Sequence, residues 1–300
     1  MGRKKREWPL FFLCLSAALY GLALIFSATR YEETLHGLVG KQAVALGGGV
    51  VLCLLLSVLD VRKLLEKLWW LLPVVNVGLL LLLVPLGNDD GTGNKSWISL
   101  PGGGFNLQPA EVVKISFLLL LALQLRKLGE KGLNRPKAVF LLLLHVLALC
   151  ALLYGVSGDI GMVAVYLAVY LVMLWSAGVH PLWLLGEVAA GVGAVVLLWP
   201  RLPEYVRMRF LVVFDHGLDP LGKGFQQERS LLAIGSGQVT GQGYLQGTQT
   251  QSPSPSALPA RHTDFIFSVA GEELGLVGCL LILALLGAPF FLWMLREREV

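Results

Sequence analysis

Three groups of charged residues lie in or beside long apolar runs, where an ionised side chain costs at least a few kcal/mol unless it finds a partner or a polar cavity. The first is Arg261-His262-Thr263-Asp264-Phe265, leading into an apolar stretch that still carries Glu272 and Glu273. A carboxylate such as Asp264 at the mouth of an apolar helix is suited to accept a proton from an attacking hydroxyl. The same position fits a plain helix N-cap, and the residue types alone leave the two open. Glu272 and Glu273 lie about two turns deeper, which calls for buried donors or a polar cavity. The second group is Gln108-Pro109-Ala110-Glu111-Val112-Val113-Lys114, with Pro where a helix begins and Glu111 and Lys114 on one face. The third is Ser157-Gly158-Asp159-Ile160-Gly161, a turn opening another helix. Lys114 lies roughly 9 Å from the outer end of its helix, within reach of Asp159, and the two form an expected ion pair. The competing arrangement has Lys114 snorkelling to headgroups and Asp159 acting only as a cap.

Other chemistries find no support. Neither a P-loop nor H-E-x-x-H occurs, and His262 stands alone as a loop residue rather than a metal ligand. Ser236 in Ile-Gly-Ser-Gly lacks the preceding Gly of a nucleophile elbow. Cys14, Cys53, Cys150 and Cys279 are scattered without C-x-x-C spacing and read as small apolar helix residues.

The elements that must position these groups are transmembrane helices. The chain is 55% hydrophobic and 15% charged over 300 residues, more apolar surface than a soluble domain of that length buries. Apolar runs of spanning length fall near 8–28, 42–59, 68–86, 108–125, 138–156, 160–177, 181–199 and 264–294, about eight helices, so the expected fold class is an all-α polytopic bundle. Lys and Arg cluster at alternate helix ends: Arg3, Lys4, Lys5 and Arg6; Arg62, Lys63 and Lys67; Arg126, Lys127, Lys131, Arg135 and Lys137; Arg296 and Arg298. The positive-inside rule then sets both termini in the cytoplasm. The first run lacks a small-residue cleavage site and reads as a retained span. The net charge of +4 is accounted for by this topology and gives no reason to expect nucleic acid.

On this topology residues 200–263 form a large extracytoplasmic loop within one integral-membrane domain spanning 1–300. Residues 203–234, with Tyr205, Arg207, Arg209, Phe210, Phe214, Lys223, Phe225 and Arg229, suit short amphipathic helices at the outer interface, whereas the Gly- and Ser/Pro-rich 235–260 suits an irregular or mobile segment.

Taken in order, these residues resemble a known family. Gly93-Asn94-Lys95-Ser96-Trp97-Ile98 followed by Gln108-Pro109-Ala110-Glu111 and Lys114 is similar to the Trp-Ile turn and Q-P-S-E-x-x-K pattern of the SEDS (shape, elongation, division and sporulation; RodA/FtsW/SpoVE) proteins. Asp159 in Gly-Asp-Ile-Gly resembles the P-D-x-G turn of that family. Ala233-Ile234-Gly235-Ser236-Gly237, Gly241-Gln242-Gly243, Leu258-Pro259, His262-Thr263-Asp264-Phe265-Ile266-Phe267 and Gly271-Glu272-Glu273-Leu274-Gly275 carry the rest of the resemblance. Gly247-Thr248-Gln249 looks closer to the rod-elongation branch (RodA) than to the division branch (FtsW).

The resemblance implies a peptidoglycan glycosyltransferase of the bacterial inner membrane that polymerises lipid II and works with a class B penicillin-binding protein. It implies Asp264 as the catalytic residue and Lys114 with Asp159 as a supporting salt bridge. Trp97, Gln108, Glu111, Arg209, Arg261, His262, Thr263 and Glu272 are expected to contact substrate. An α-linked donor giving a β-linked product requires inversion, with a general base at the acceptor hydroxyl and positive charge at the leaving diphosphate. Arg209, Arg261, Lys114 or a bound Mg²⁺ or Mn²⁺ are the expected sources of that charge. A lipid II flippase and a scaffold that only binds the transpeptidase are the competing readings. The sequence departs from the family pattern at Ala110, at Ser157-Gly158 and at Ala260, and it stops where the family continues, so it is expected to lack the last two of about ten helices.

Overall fold

The computed structural model describes residues 8–32, 35–88, 94–99, 105–129, 132–202, 204–254 and 256–297. The N-terminal basic cluster, Gly93, Lys131 and Arg298 lie outside these residues. In chain order the elements are α1 (Trp8–Thr29), α2 (His36–Val58), α3 (Val61–Leu68), α4 (Leu71–Leu81), α5 (Leu83–Leu86), β1 (Gly87–Asn88), β2 (Trp97–Ser99), β3 (Asn106–Leu107), α6 (Pro109–Gly129), α7 (Pro136–Ser157), α8 (Ile160–Ser176), α9 (Pro181–Leu198), α10 (Glu204–Leu211), α11 (Lys223–Gly237) and α12 (Ile266–Glu297).

All eight expected apolar runs coincide with helices, α4 and α5 sharing one of them. Among the described residues five helices are long and apolar enough to cross a membrane, in α1, α2, α7, α9 and α12, with shorter apolar helices at Leu71–Leu86 and Ile160–Ser176. Their outer faces are apolar: Val44, Leu55 and Val58 on α2 and Leu182, Val196 and Leu197 on α9 are exposed, a surface that suits lipid and not water.

By its internal contacts the chain divides into two compact units, one comprising Met1–Val58 with Arg201–Val300 and the other Leu59–Pro200. In the second unit α6, α7 and α8 bury Val113, Phe117, Val146, Leu153 and Tyr166 in a continuous core. The Tyr166 hydroxyl donates to the Ala110 carbonyl at 2.7 Å, satisfying a polar atom that would otherwise be costly at that depth. A small antiparallel sheet, β1-β2-β3, pairs Asn88 with Trp97 and Ile98 with Leu107 at the entrance to α6.

In the first unit α1, α11 and α12 pack around Leu24, Ala28, Ala233, Val269 and Ala270. α12 is interrupted at Gly275, whose φ of 66° and ψ of −159° belong to a region essentially restricted to glycine. Continuous helix would have Leu276 and Val277 donate to the Glu272 and Glu273 carbonyls. Those carbonyls accept instead from the Gln242 and Gly243 amides, both at 2.9 Å, while the Leu276 and Val277 amides donate to the Gln238 and Val239 carbonyls. These four backbone groups at the break therefore keep partners, as a membrane-embedded segment requires. Gly241 sits so close that a Cβ there would collide with the Glu273 carbonyl, and its φ of 80° is itself left-handed.

Residues 203–234 do contain two helices, α10 and α11. Of the expected irregular or mobile segment at 235–260, the structure shows an irregular one beyond the end of α11. It is irregular but held by a dense set of hydrogen bonds, because its Gly and Thr residues let the backbone approach the opened helix and the carboxylates within it.

Candidate functional site

In the second unit Asp159 caps α8: its Oδ1 accepts from the Met162 amide at 3.1 Å, and its Oδ2 from the Ser96 hydroxyl at 3.4 Å. Gly158, at φ 72°, ends α7 in the left-handed conformation that turns the chain into this cap. The Lys95 amide donates to the Ser157 carbonyl at 3.1 Å, so the segment leading to Trp97 is tied to the same turn. Trp97 and Gln108 are half-buried. Gln108 offers its carbonyl to the Glu111 amide at 3.0 Å, as the residue before a helix does.

The expected ion pair between Lys114 and Asp159 is not formed. Lys114 Nζ instead grips both oxygens of Glu111, at 2.9 and 2.8 Å. The physical reason is local: Glu111 is one turn away on the same face, and Asp159 is already occupied by its cap and by Ser96. Of the two arrangements for Asp159, the structure shows the cap.

In the first unit Asp264 is exposed at the turn before α12, with Thr263 beside it and His262 half-buried. The turn is built on Ala260, whose φ is 49°; its carbonyl accepts from the Thr263 amide and the Phe265 amide, at 3.1 and 3.2 Å, and from the Thr263 hydroxyl. Asp264 has cationic company. Burial and the neighbouring Arg209 hold Lys223 below the ordinary lysine range, while Asp264 and Asp219 pull it back up. Lys223 thus lies within electrostatic reach of both Arg209 and Asp264, an arrangement suited to an anionic ligand. Lys223 was not among the expected site residues. Its only signal in the sequence was its place in an aromatic and basic run.

Beneath Asp264 the two deeper carboxylates are fully buried and fully used. Glu272 Oε1 accepts from the Gln249 amide at 2.7 Å and the Thr248 hydroxyl at 3.1 Å; Oε2 accepts from the Thr250 amide at 2.8 Å and the Thr250 hydroxyl at 2.7 Å. Glu273 accepts from the Ser27 hydroxyl and from Gln251 Nε2, both at 2.6 Å. The expected buried donors are therefore present.

Arg261, 3% exposed, donates to the Thr250 carbonyl at 2.7 Å and the Ser252 carbonyl at 2.8 Å and lies 3.7 Å from Glu32. Burial lowers its pKa and Glu32 raises it, and a guanidinium stays protonated under either influence. Arg261 and Glu272, both expected to contact substrate, are interior residues bonded to the loop, so the charge beside the Asp264 motif is engaged within the fold.

For the expected Mg²⁺ or Mn²⁺ the described residues provide no cage, since no three His, Cys, Asp or Glu side chains gather to hold an ion.

Residues 8–298 match the family model for FtsW, RodA and SpoVE, described as cell cycle proteins. A probable peptidoglycan glycosyltransferase FtsW of Geobacter metallireducens is 32% identical over 98% of this chain and 77% of its own length. The Haemophilus influenzae protein of the same name is 34% identical over 74% of this chain and 54% of its own. Among solved structures, one reported for the coordination of polymerization and crosslinking by a peptidoglycan synthase complex superimposes with a TM-score of 0.73 at 31% identity, covering 96% of this chain and 76% of that one. The rod shape determining protein RodA of Thermus thermophilus gives 0.62 at 26% identity, covering 95% and 73%. These relatives carry both branch names and do not single out the rod-elongation branch.

Proposed function

This chain belongs to the FtsW, RodA and SpoVE family of cell cycle proteins, and from that premise we propose that it is a multi-pass membrane peptidoglycan glycosyltransferase that polymerises lipid II with Asp264 as its general base. The observation that carries the reading is the state of Asp264: it is the exposed carboxylate of its turn, whereas Glu272 and Glu273 below it are saturated with donors. A base must reach its proton acceptor-side, and only a carboxylate with free lone pairs at the surface can do so.

In the proposed reaction the acceptor sugar hydroxyl gives its proton to Asp264 and attacks the anomeric carbon of the donor. The bond to the lipid diphosphate breaks on the opposite face, inverting the configuration. Lys223, within electrostatic reach of both Asp264 and Arg209, and Arg209 beside it supply positive charge toward the departing diphosphate. Arg261 is withdrawn from that role by its buried bonds, and Lys114 by its grip on Glu111.

The membrane is the bacterial inner membrane, with the positive-inside pattern setting Asp264 outside, where lipid II is used. The partner is a class B penicillin-binding protein, a proposal supported by the likeness to a chain from a peptidoglycan synthase complex. Polymerisation of lipid II by the purified chain, alongside Asp264→Ala and with any transpeptidase activity blocked, tests the reading. Strands from the wild type and a loss of at least about 100-fold in the variant support it. Transfer of lipid II between leaflets without lengthening glycan would replace it with a flippase, and neither activity in a folded preparation would leave a scaffold.

A further inference from the structure

Asp264 hangs in a chain segment closed at both ends by buried charge. On one side it is two residues from the start of α12, and Glu272 lies six residues into that helix, about 9 Å along it. On the other side it is three residues from Arg261. The two buried ions do not touch each other; they take opposite ends of the same peptide groups. Glu272 Oε2 receives the Thr250 amide at 2.8 Å, and Arg261 donates to the carbonyl of that same peptide, Gln249 O, at 3.5 Å and to the next, Thr250 O, at 2.7 Å. The backbone at Gln249-Thr250 is thus held between an anion and a cation with its dipoles aligned to both, which strengthens every bond in the series.

We infer that Glu272 and Arg261 are positioning residues for Asp264, forming an ion pair relayed through the 249–250 backbone that locks the loop carrying the general base onto α12. The inference rests on the reading of Asp264 as the base. Three observations carry it. Glu272 is 0% exposed with four donors on two oxygens, all from residues 248–250, so its carboxylate serves this loop alone. Arg261 is 3% exposed and bonded to the Gln249 and Thr250 carbonyls of that stretch and to the Ser252 carbonyl just beyond it. Immediately before Arg261, the turn that leads into α12 places the non-glycine Ala260 at φ 49°, a conformation that persists only where surrounding bonds over-determine it. A base displaced by about 1 Å loses on the order of 100-fold in rate, so such a lock acts on turnover more than on substrate affinity.

The test measures initial rates of lipid II polymerisation against lipid II concentration for the full chain in detergent, with folded fraction followed by thermal unfolding. Glu272→Gln places an amide NH₂ against N–H and O–H donors and breaks the relay without changing volume. It is expected to lower kcat at least about tenfold per folded molecule with KM unchanged. Should that variant fail to fold, Thr250→Val removes one hydroxyl donor from Glu272, and a kcat lowered severalfold with KM unchanged is expected, restored by Thr250→Ser. A wild-type kcat in folded Glu272→Gln or Thr250→Val, or a loss that appears in KM alone, overturns the positioning role while leaving the base intact. Polymerisation by Asp264→Ala, or none by the wild type, overturns the base reading and this inference with it.

Discussion

Glu111 and Glu272 are both carboxylates beside an apolar helix, yet they are held in opposite ways. Glu111 is 54% exposed and bonds one lysine a turn away in its own helix. Glu272 is wholly buried and bonds three residues more than twenty positions earlier in the chain. The difference teaches which charges carry the architecture. A pair at the surface competes with water or headgroups and contributes at most about 0.5 kcal/mol. A buried carboxylate whose donors are all supplied by one loop determines where that loop goes, because leaving any of those donors unpaired costs about 1–3 kcal/mol each.

The contrast can be broken experimentally, beginning with its largest effect. Glu273→Ala removes the acceptor of the Ser27 hydroxyl and one of the acceptors of Gln251 Nε2, which keeps its bond to Ser27, and is expected to destabilise the first unit by about 3 kcal/mol, read as a lowered unfolding temperature in detergent. Unchanged unfolding would show that these buried bonds are dispensable and collapse the distinction. Gly241→Ala comes next, at about 2 kcal/mol, since its Cβ would meet the Glu273 carbonyl and its left-handed φ disfavours any side chain. At the other extreme Glu111→Gln in the second unit should shift unfolding by less than about 0.5 kcal/mol. A shift of several kcal/mol there would mean that the Lys114 pair is structural after all.

The smallest effect is a pH dependence. Lys223 sits below the ordinary lysine range in the folded chain because burial and Arg209 disfavour its charge. The folded state therefore releases this proton before the unfolded state does, so stability rises as alkaline pH passes from the lowered folded value toward the ordinary value of about 10.4. Arg209→Gln removes one cause and should shrink that alkaline gain, measured as unfolding temperature against pH. An unaltered slope would place Arg209 and Lys223 out of electrostatic reach.

Helix placement was open to view in the chain because its cause is local: eight apolar runs, each long enough or nearly so to span, must bury their backbone polar groups in helices. The small residues Gly271 and Gly275 lie where other chain comes close: Ile234 of α11 approaches Gly271, and the backbone at Val239 and Gly241 approaches Gly275. Asp264 was placed by its motif at the start of α12. The need for donors around Glu272 and Glu273 could be deduced from depth alone, but their identity could not, because Thr248, Thr250, Ser27 and Gln251 carry no periodic signature and lie from 22 to 246 residues away.

Composition and spacing by themselves determined that this protein is an all-α membrane bundle, where its helices begin, and that a carboxylate stands at the start of the last of them. Those are consequences of what each short stretch does in contact with water or lipid. Only the tertiary structure decided which charges are available. Lys114 takes Glu111 and not Asp159, and Arg261 and Glu272 are withdrawn into the interior while Asp264 stays at the surface. A charge is neutralised by whichever donor or acceptor the fold brings within about 3 Å, and that partner is set by packing across the whole chain rather than by neighbours in sequence.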